Sequence, residues 1–472
     1  GSGMNKAHFQ PVTTLVGHDL SGLILRNKNF SNMNLRNANL SGTDLSGSNM
    51  TGADLTDTDL AQAILYGVNM TGADLTHSQL VEAILTTANL TTADLSGSNL
   101  RQVSAASVNM TGADLTEADL TDANLSNSTL SSAKLRKTDL TRANLNGTTA
   151  TSANLTFVTA QGSNLSNANL TSATLIGGDF NGSDMVLAHF DNATITHTDF
   201  TSTLANYTTW TSATLTRPKF NSSDLTGANF TSSVITEFTA PGATLDNANF
   251  SNTSTGLRGA NFNGVSMAGA NVSRLDMSEA KISDASLSGA NFKDSNLTSV
   301  NAQRSDFSET DLGDANLTRA RFDSSDFTKS NMKSSVLTQT GLYKANLTGV
   351  DASYSEFDRT NIREVNLTDA NLTGSIFMDV NGIYNKLDGS DLTGVVLLQS
   401  SFDRATFNNA DLTGVDLSDN NLSGSKFAEA KQTDWTLWPF SVSPSSLGVV
   451  QREMRNPDLI CDLTSVSDCS GA

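Results

Sequence analysis

An apolar beat of five residues runs through almost the whole chain. From Leu20 to Phe250 the beat falls on every fifth position; after one step of seven, to Leu257, it resumes and continues to Phe427. The beats lacking a large apolar side chain are Ala105, Ala150, Ala160, Ala205, Ala240, Ala302, Ala352 and Gly382. A helix returns to one face every 3.6 residues and a strand every two, so neither keeps this period on one side. The chain must turn a corner once per unit. If each unit is one side of a square coil, every beat points to a shared axis and 20 residues close a turn. The segment Asn49–Thr56 supports that period, because it recurs at 69–76 and 109–116. So does an outward column just after the beat: Ser31, Thr51, Thr71, Thr91, Thr111, Ser131, Thr151 and Thr171.

Each unit carries a small residue two places before the beat and usually Asn or Asp one place before it. Ala53-Asp54-Leu55, Ala73-Asp74-Leu75 and Ala113-Asp114-Leu115 show the Asp form; Ala38-Asn39-Leu40, Ala88-Asn89-Leu90 and Ala123-Asn124-Leu125 show the Asn form. This pattern, over about 18–430, resembles the pentapeptide-repeat family, whose unit is written A(D/N)LXX. The resemblance implies an all-β fold: a right-handed quadrilateral parallel β-helix, a solenoid of about 20 coils with short terminal caps. At roughly 4.8 Å per coil it would be on the order of 100 Å long.

The implied organisation has five parts. Residues 1–17 hold a cloning remnant, Gly1-Ser2-Gly3 before Met4, and a lead whose Phe9, Val12, Leu15 and Val16 can cover the first coil. Residues 18–250 are the first phase of the β-helix, 251–256 a phase break or small corner bulge, and 257–430 the second phase. Residues 431–472 form an aromatic cap and tail. The core includes Leu55, Leu75, Leu95 and Leu115. Phe180, Phe200 and Phe220 should stack on one wall, with Phe190, Trp210, Phe230 and Phe250 on the opposite wall. Ala205 beside Trp210 suggests volume compensation. Gly382 should leave a void or let Ile383 or Leu387 lean inward. Trp435, Trp438 and Phe440 are expected to close the far end; their segment is similar to the Trp-Pro stretch that ends such coils in photosynthetic bacteria. Cys461 and Cys469 can form a disulfide in an oxidising compartment and stay thiols elsewhere.

Only 37% of residues are apolar, which suits a core one side chain deep. The net charge of −19 disfavours direct binding to nucleic acid or anionic membranes. Between Arg36 and Arg101 the charged residues are Asp44, Asp54, Asp57, Asp59, Asp74, Glu82 and Asp94. Many acids precede a beat, where a carboxylate can bond the turn backbone, so part of the charge is turn chemistry. Lys134, Arg136, Lys137 and Arg142 surround Asp139 and do not make a nucleic-acid groove. There is no apolar run long enough for a membrane helix.

Nothing in the pattern is catalytic. The histidines His8, His18, His77, His189 and His197 are scattered, and His189, just before Phe190, reads as a turn residue. Phosphate-loop, HExxH and EF-hand spacings are missing. No catalytic, cofactor-binding or metal-binding residue is assigned, and the chain is expected not to be an enzyme. The leading reading is a structural or protein-interaction scaffold with an unidentified protein partner. Alternatives are a DNA-mimicking inhibitor or protector acting on gyrase or topoisomerase, which the family resemblance suggests, a Thr-rich ice- or mineral-binding surface, and a homodimer or end-to-end assembly through the C-terminal tail. Few Lys and Arg with many Ser and Thr suit an exported, periplasmic or thylakoid-lumen setting over the cytoplasm.

Overall fold

The computed structural model describes residues 13–440 and 442–451. They form a parallel β-solenoid in two compact units, divided after Asn296. In both, each residue before a beat pairs in parallel with the residue one turn on. Asn49↔Asn69, Asp54↔Asp74, Asp59↔Gln79 and Ile64↔Ile84 are the four sides of one turn in the first unit, and Asn361↔Asn381 and Asn366↔Lys386 are examples from the second. At 20 residues per turn the first unit holds about 14 turns. The expectation of about 20 coils is corrected: the first unit holds about 14 turns, and the second is counted by itself.

Five backbone donors per unit explain why the pattern looks as it does. In the unit 53–57, the Ala53 N–H closes the turn onto Met50 O at 3.0 Å. Asp54 donates to the turn below at Met33 O, and Leu55 and Asp57 donate to the turn above at Asp74 O and Thr76 O. Thr56 is left over. Its N–H is taken by Asp54 Oδ1 at 3.1 Å, and its hydroxyl donates to the same oxygen at 2.7 Å. A buried or half-buried N–H without a partner is costly. Asn or Asp before the beat is therefore the acceptor that the ladder itself does not supply. The second residue after the beat adopts a left-handed conformation, as at Gly52 (φ 63°) and Asp57 (φ 55°).

Both inward layers are buried. Leu55, Leu75, Leu95 and Leu115 are fully buried, as are the small residues Ala53, Ala73, Ala93 and Ala113. Phe180, Phe200 and Phe220 stack with centroids 5.4 and 4.9 Å apart. Phe190, Trp210, Phe230 and Phe250 stack opposite at 4.2, 5.8 and 4.7 Å. The two ladders meet edge to face, as at Phe200–Trp210. The Trp210 Nε1 donates to Thr208 Oγ1 at 2.8 Å, which satisfies the one polar atom of that ladder. At Ala240 the expected order of large and small side chains is reversed: Phe238, two places earlier, is buried and stacks on Phe220 at 5.4 Å.

Two faces carry three-residue strands rather than single bridges. In the first unit these are β1 (Thr174–Ile176), β2 (Thr194–Thr196), β3 (Thr214–Thr216) and β4 (Val234–Thr236), in that order in one parallel sheet. In the second they are β5 (Glu356–Asp358), β6 (Ile376–Met378) and β7 (Val396–Leu398). No Asn or Asp precedes the beat on these strands. Pairing extends one step further, Ile176↔Thr196 for example, and so draws the leftover N–H into the sheet.

The phase break is a change of pairing offset. Val234 pairs with Ser254, 20 residues on, whereas Thr239 pairs with Asn261, 22 on. The extra length sits at Thr255–Gly256, where the Thr255 hydroxyl donates to Ile235 O at 2.6 Å. A Cβ on Gly256 (φ 67°) would lie 2.4 Å from Asp276 O, so only glycine fits this corner.

At the far end, β8 (Lys431–Gln432) pairs in parallel with β9 (Val450–Gln451). Trp438 covers Phe427 edge to face at 5.1 Å and donates from Nε1 to Gln432 Oε1 at 2.8 Å. Trp435 and Phe440, expected in the cap, lie exposed among the described residues. Residues 1–12, with Phe9 and Val12, and the tail bearing Cys461 and Cys469 lie outside the described residues. Leu15 is half-buried and Val16 exposed.

Candidate functional surfaces

Four outward features are distinct enough to do something. The first is an acidic column, Asp54, Asp74, Asp94 and Asp114, one residue per turn in consecutive bridges. Cations close both ends: Arg36 Nη1 lies 3.8 Å from Asp54 and Lys134 Nζ 3.0 Å from Asp114. At Asp114, burial pushes the carboxyl up, but hydrogen bonds from Thr116 and Lys134 outweigh it and hold it below the usual carboxylate range. The basic cluster beyond it is likewise tied down one turn, Lys137 to Glu117 at 2.8 Å and Arg142 to Asp122 at 2.7 Å.

The second is the threonine column singled out in the sequence. Its hydroxyls are spent internally: Thr51, Thr71, Thr91, Thr111 and Thr171 each donate to the Asn two residues earlier, at 2.6–2.7 Å. Asn89 also reaches Thr71 Oγ1 from the next turn at 3.0 Å. The third is the outer face of β1–β4, which displays Thr174, Thr194, Thr196, Thr214, Thr216 and Thr236 with Ile176 and Val234. Among the described residues these six hydroxyls have no intramolecular partner. The fourth is the outer face of β6 and β7. Ile376, Met378, Val396 and Leu398 are 43, 39, 42 and 44% exposed there, an apolar quartet on paired strands.

Repeat matches settle the lineage. Matches to the family described as pentapeptide repeats (8 copies) cover residues 15–232, in overlapping segments, and 255–333, 342–379 and 386–424. The chain belongs to the pentapeptide repeat family. Among solved structures, HetL, a pentapeptide repeat protein involved in heterocyst differentiation regulation from the cyanobacterium Nostoc sp. strain PCC 7120, is 27% identical. That match covers 57% of this chain and 89% of HetL, with a TM-score of 0.16. Full-length QnrB1, a plasmid-mediated fluoroquinolone resistance protein, is 16% identical over 46% of this chain and 92% of its own, with a TM-score of 0.20. A pentapeptide repeat protein from the Arabidopsis thaliana thylakoid lumen is 25% identical over 26% and 68% of the two chains, with a TM-score of 0.13. No curated protein matches.

In this pentapeptide repeat protein the described histidines, His18, His77, His189 and His197, sit on the outside. His189 Nδ1 lies 3.0 Å from Thr209 Oγ1, a bond to the next turn, and His197 Nε2 lies 3.3 Å from Arg217. Among the described residues no group of three or more His, Cys, Asp or Glu could hold a metal ion, and no helix is long and apolar enough to cross a membrane. A cleft of about 450 Å³ lies beside the last coil among Asn420, Asn421, Ser423, Phe427, Val442 and Ser446, and no ionisable side chain lines it. The free hydroxyls on β1–β4 and the apolar quartet on β6–β7 were not anticipated. The available signal was the same for both: Thr, Ile or Val where the unit normally carries Asn or Asp.

Proposed function

We propose that the chain is a non-enzymatic scaffold that binds a protein partner on a flat coil face. The apolar quartet Ile376, Met378, Val396 and Leu398 carries this reading. On a surface built mostly from polar side chains, a contiguous exposed apolar cluster is the kind of feature that interfaces bury. Its strands are held in register at Ile376↔Val396 and Met378↔Leu398, and the cluster stands over buried Phe377 and Leu397. A partner would meet a preformed surface and lose little ordering entropy on the scaffold side. The acidic column supports gyrase mimicry less well, because Arg36 and Lys134 neutralise its ends.

The test places a photo-cross-linking residue at Met378 or, as control, at Thr71, and exposes each protein to extract of the source organism. Specific adducts from position 378, lost when Leu398→Lys is added, are the expected result. Equal adduct patterns at both positions, or none at 378, would overturn the reading.

A further inference from the structure

We propose that the outer face of β1–β4 binds the surface of an ice crystal. The array has two files and four ranks. Register sets Thr174, Thr194, Thr214 and Val234 in one file, and Ile176, Thr196, Thr216 and Thr236 in the other. Parallel strands place the ranks roughly 4.8 Å apart, and two residues along a strand set the files about 6.6 Å apart. Both spacings lie near the repeat distances of hexagonal ice. A two-dimensional grid of hydroxyls and methyls at those spacings can seat a layer of water in crystal register: the hydroxyls take the place of lattice waters and the methyls hold water in cages between them.

Three observations separate this face from the other threonines. At many other units the threonine hydroxyl after the beat is captured by the Asn or Asp before it, as Thr171 is by Asn169 and Thr231 by Asn229. On β1–β4 threonine or valine replaces that acceptor, and the hydroxyls are left for solvent. The array is also stiff. β-Branched side chains have few rotamers, and directly beneath them lie Leu175, Ile195, Leu215 and Ile235, all buried, beside the aromatic ladders. Lastly, none of its eight side chains is charged. Arg217, along one border, is occupied by Glu237 at 2.7 Å and His197 at 3.3 Å. Asp191, on the other border, accepts from Thr209 and from the Thr211 N–H. Below the array Asn154 takes the Thr156 hydroxyl at 2.6 Å, and above it Ser254 leads into the phase break, so the grid is bounded at both ends.

The experiment is nanolitre osmometry and ice-crystal microscopy on the full chain. A gap between melting and freezing temperatures, with faceted crystals, is expected. Thr196→Lys with Thr216→Lys should abolish both while the circular dichroism melting curve is kept; Thr196→Lys alone serves if the double variant does not fold. Thr71→Lys, on the internally bonded column, should leave both intact. A wild-type chain with neither gap nor faceting overturns the proposal. So does an array variant that behaves as wild type, or a Thr71→Lys variant that loses the effect equally.

Discussion

The ring of Phe402 lies where a side chain on Gly382 would point, one turn away: a Cβ on Gly382 would sit 2.7 Å from Phe402 Cδ1. The void expected at this weakest unit is filled by the neighbouring turn. Ile383 stays half-exposed and Leu387 keeps its own place on the axis. Asn385, whose Oδ1 accepts from the Val365 N–H at 3.0 Å, crowds the same spot with Nδ2. Gly382→Ala should therefore destabilise the chain by about 1–3 kcal/mol, although alanine normally improves on glycine. Pairing it with Phe402→Leu should cost less than the two changes summed. Urea unfolding of the four proteins checks this; a stabilised Gly382→Ala would contradict it.

Phe238 and Ala240 have exchanged the roles of large and small residue. Phe238→Ala should open a cavity between Phe220 and Phe262 and cost about 3–5 kcal/mol. Adding Ala240→Phe returns a ring to the axis and should recover part of that loss. Additive losses from the two substitutions would show that the axis cannot accept a ring from position 240.

Leu372 and Thr373 are adjacent, but only one faces the core. Leu372 is fully buried, whereas Thr373 is half-buried and donates its hydroxyl to Asn371 at 2.8 Å. Leu372→Asp places a charge in a buried layer and should unfold its turns or cost well over the about 1 kcal/mol expected for Thr373→Ala. Comparable denaturation midpoints for the two variants would disprove the register.

Acid should weaken the fold. Asp114 is held below its ordinary value of 3.8 because hydrogen bonds from Thr116 and Lys134 outweigh burial, and Asp224 is lowered in the same way by Thr226 and Asn206. The unfolded chain then binds protons first, so this stabilisation is complete above about pH 4 to 5 and is lost as pH falls through the lower folded-state values. Melting temperature followed by circular dichroism should be level near neutrality and decline below about pH 4. A melting temperature unchanged at about pH 2 would refute it.

The winding could be read from residues because one requirement repeats at every unit. Leu55, Leu75 and Leu95 must leave water together, and only a corner every five residues allows it. Asn before the beat was recognisable as turn chemistry, yet its necessity appears only when the Thr56 N–H is seen to lack any ladder acceptor. What escaped the sequence depends on which side chains the winding brings together. Phe238 reads as a unit with its large residue misplaced until Phe220 and Phe262 are seen above and below it. The free hydroxyls at Thr196 and Thr216 differ from the bound ones only in what stands two places earlier. Trp435 and Trp438 look alike in composition, and only Trp438 has Phe427 to cover.

The phase break shows that position along the axis, not chain length, sets the pairing. Thr244↔Ser266 and Asn249↔Asn271 stay in step although two residues have been added between the partners. Each turn also offers its neighbour the same row of carbonyls. Loss or duplication of one full 20-residue storey within a unit would thus leave no backbone donor stranded. Such a molecule can lengthen or shorten in discrete increments through ordinary genetic copying errors, while an insertion confined to a corner adds decoration without disturbing the storeys on either side.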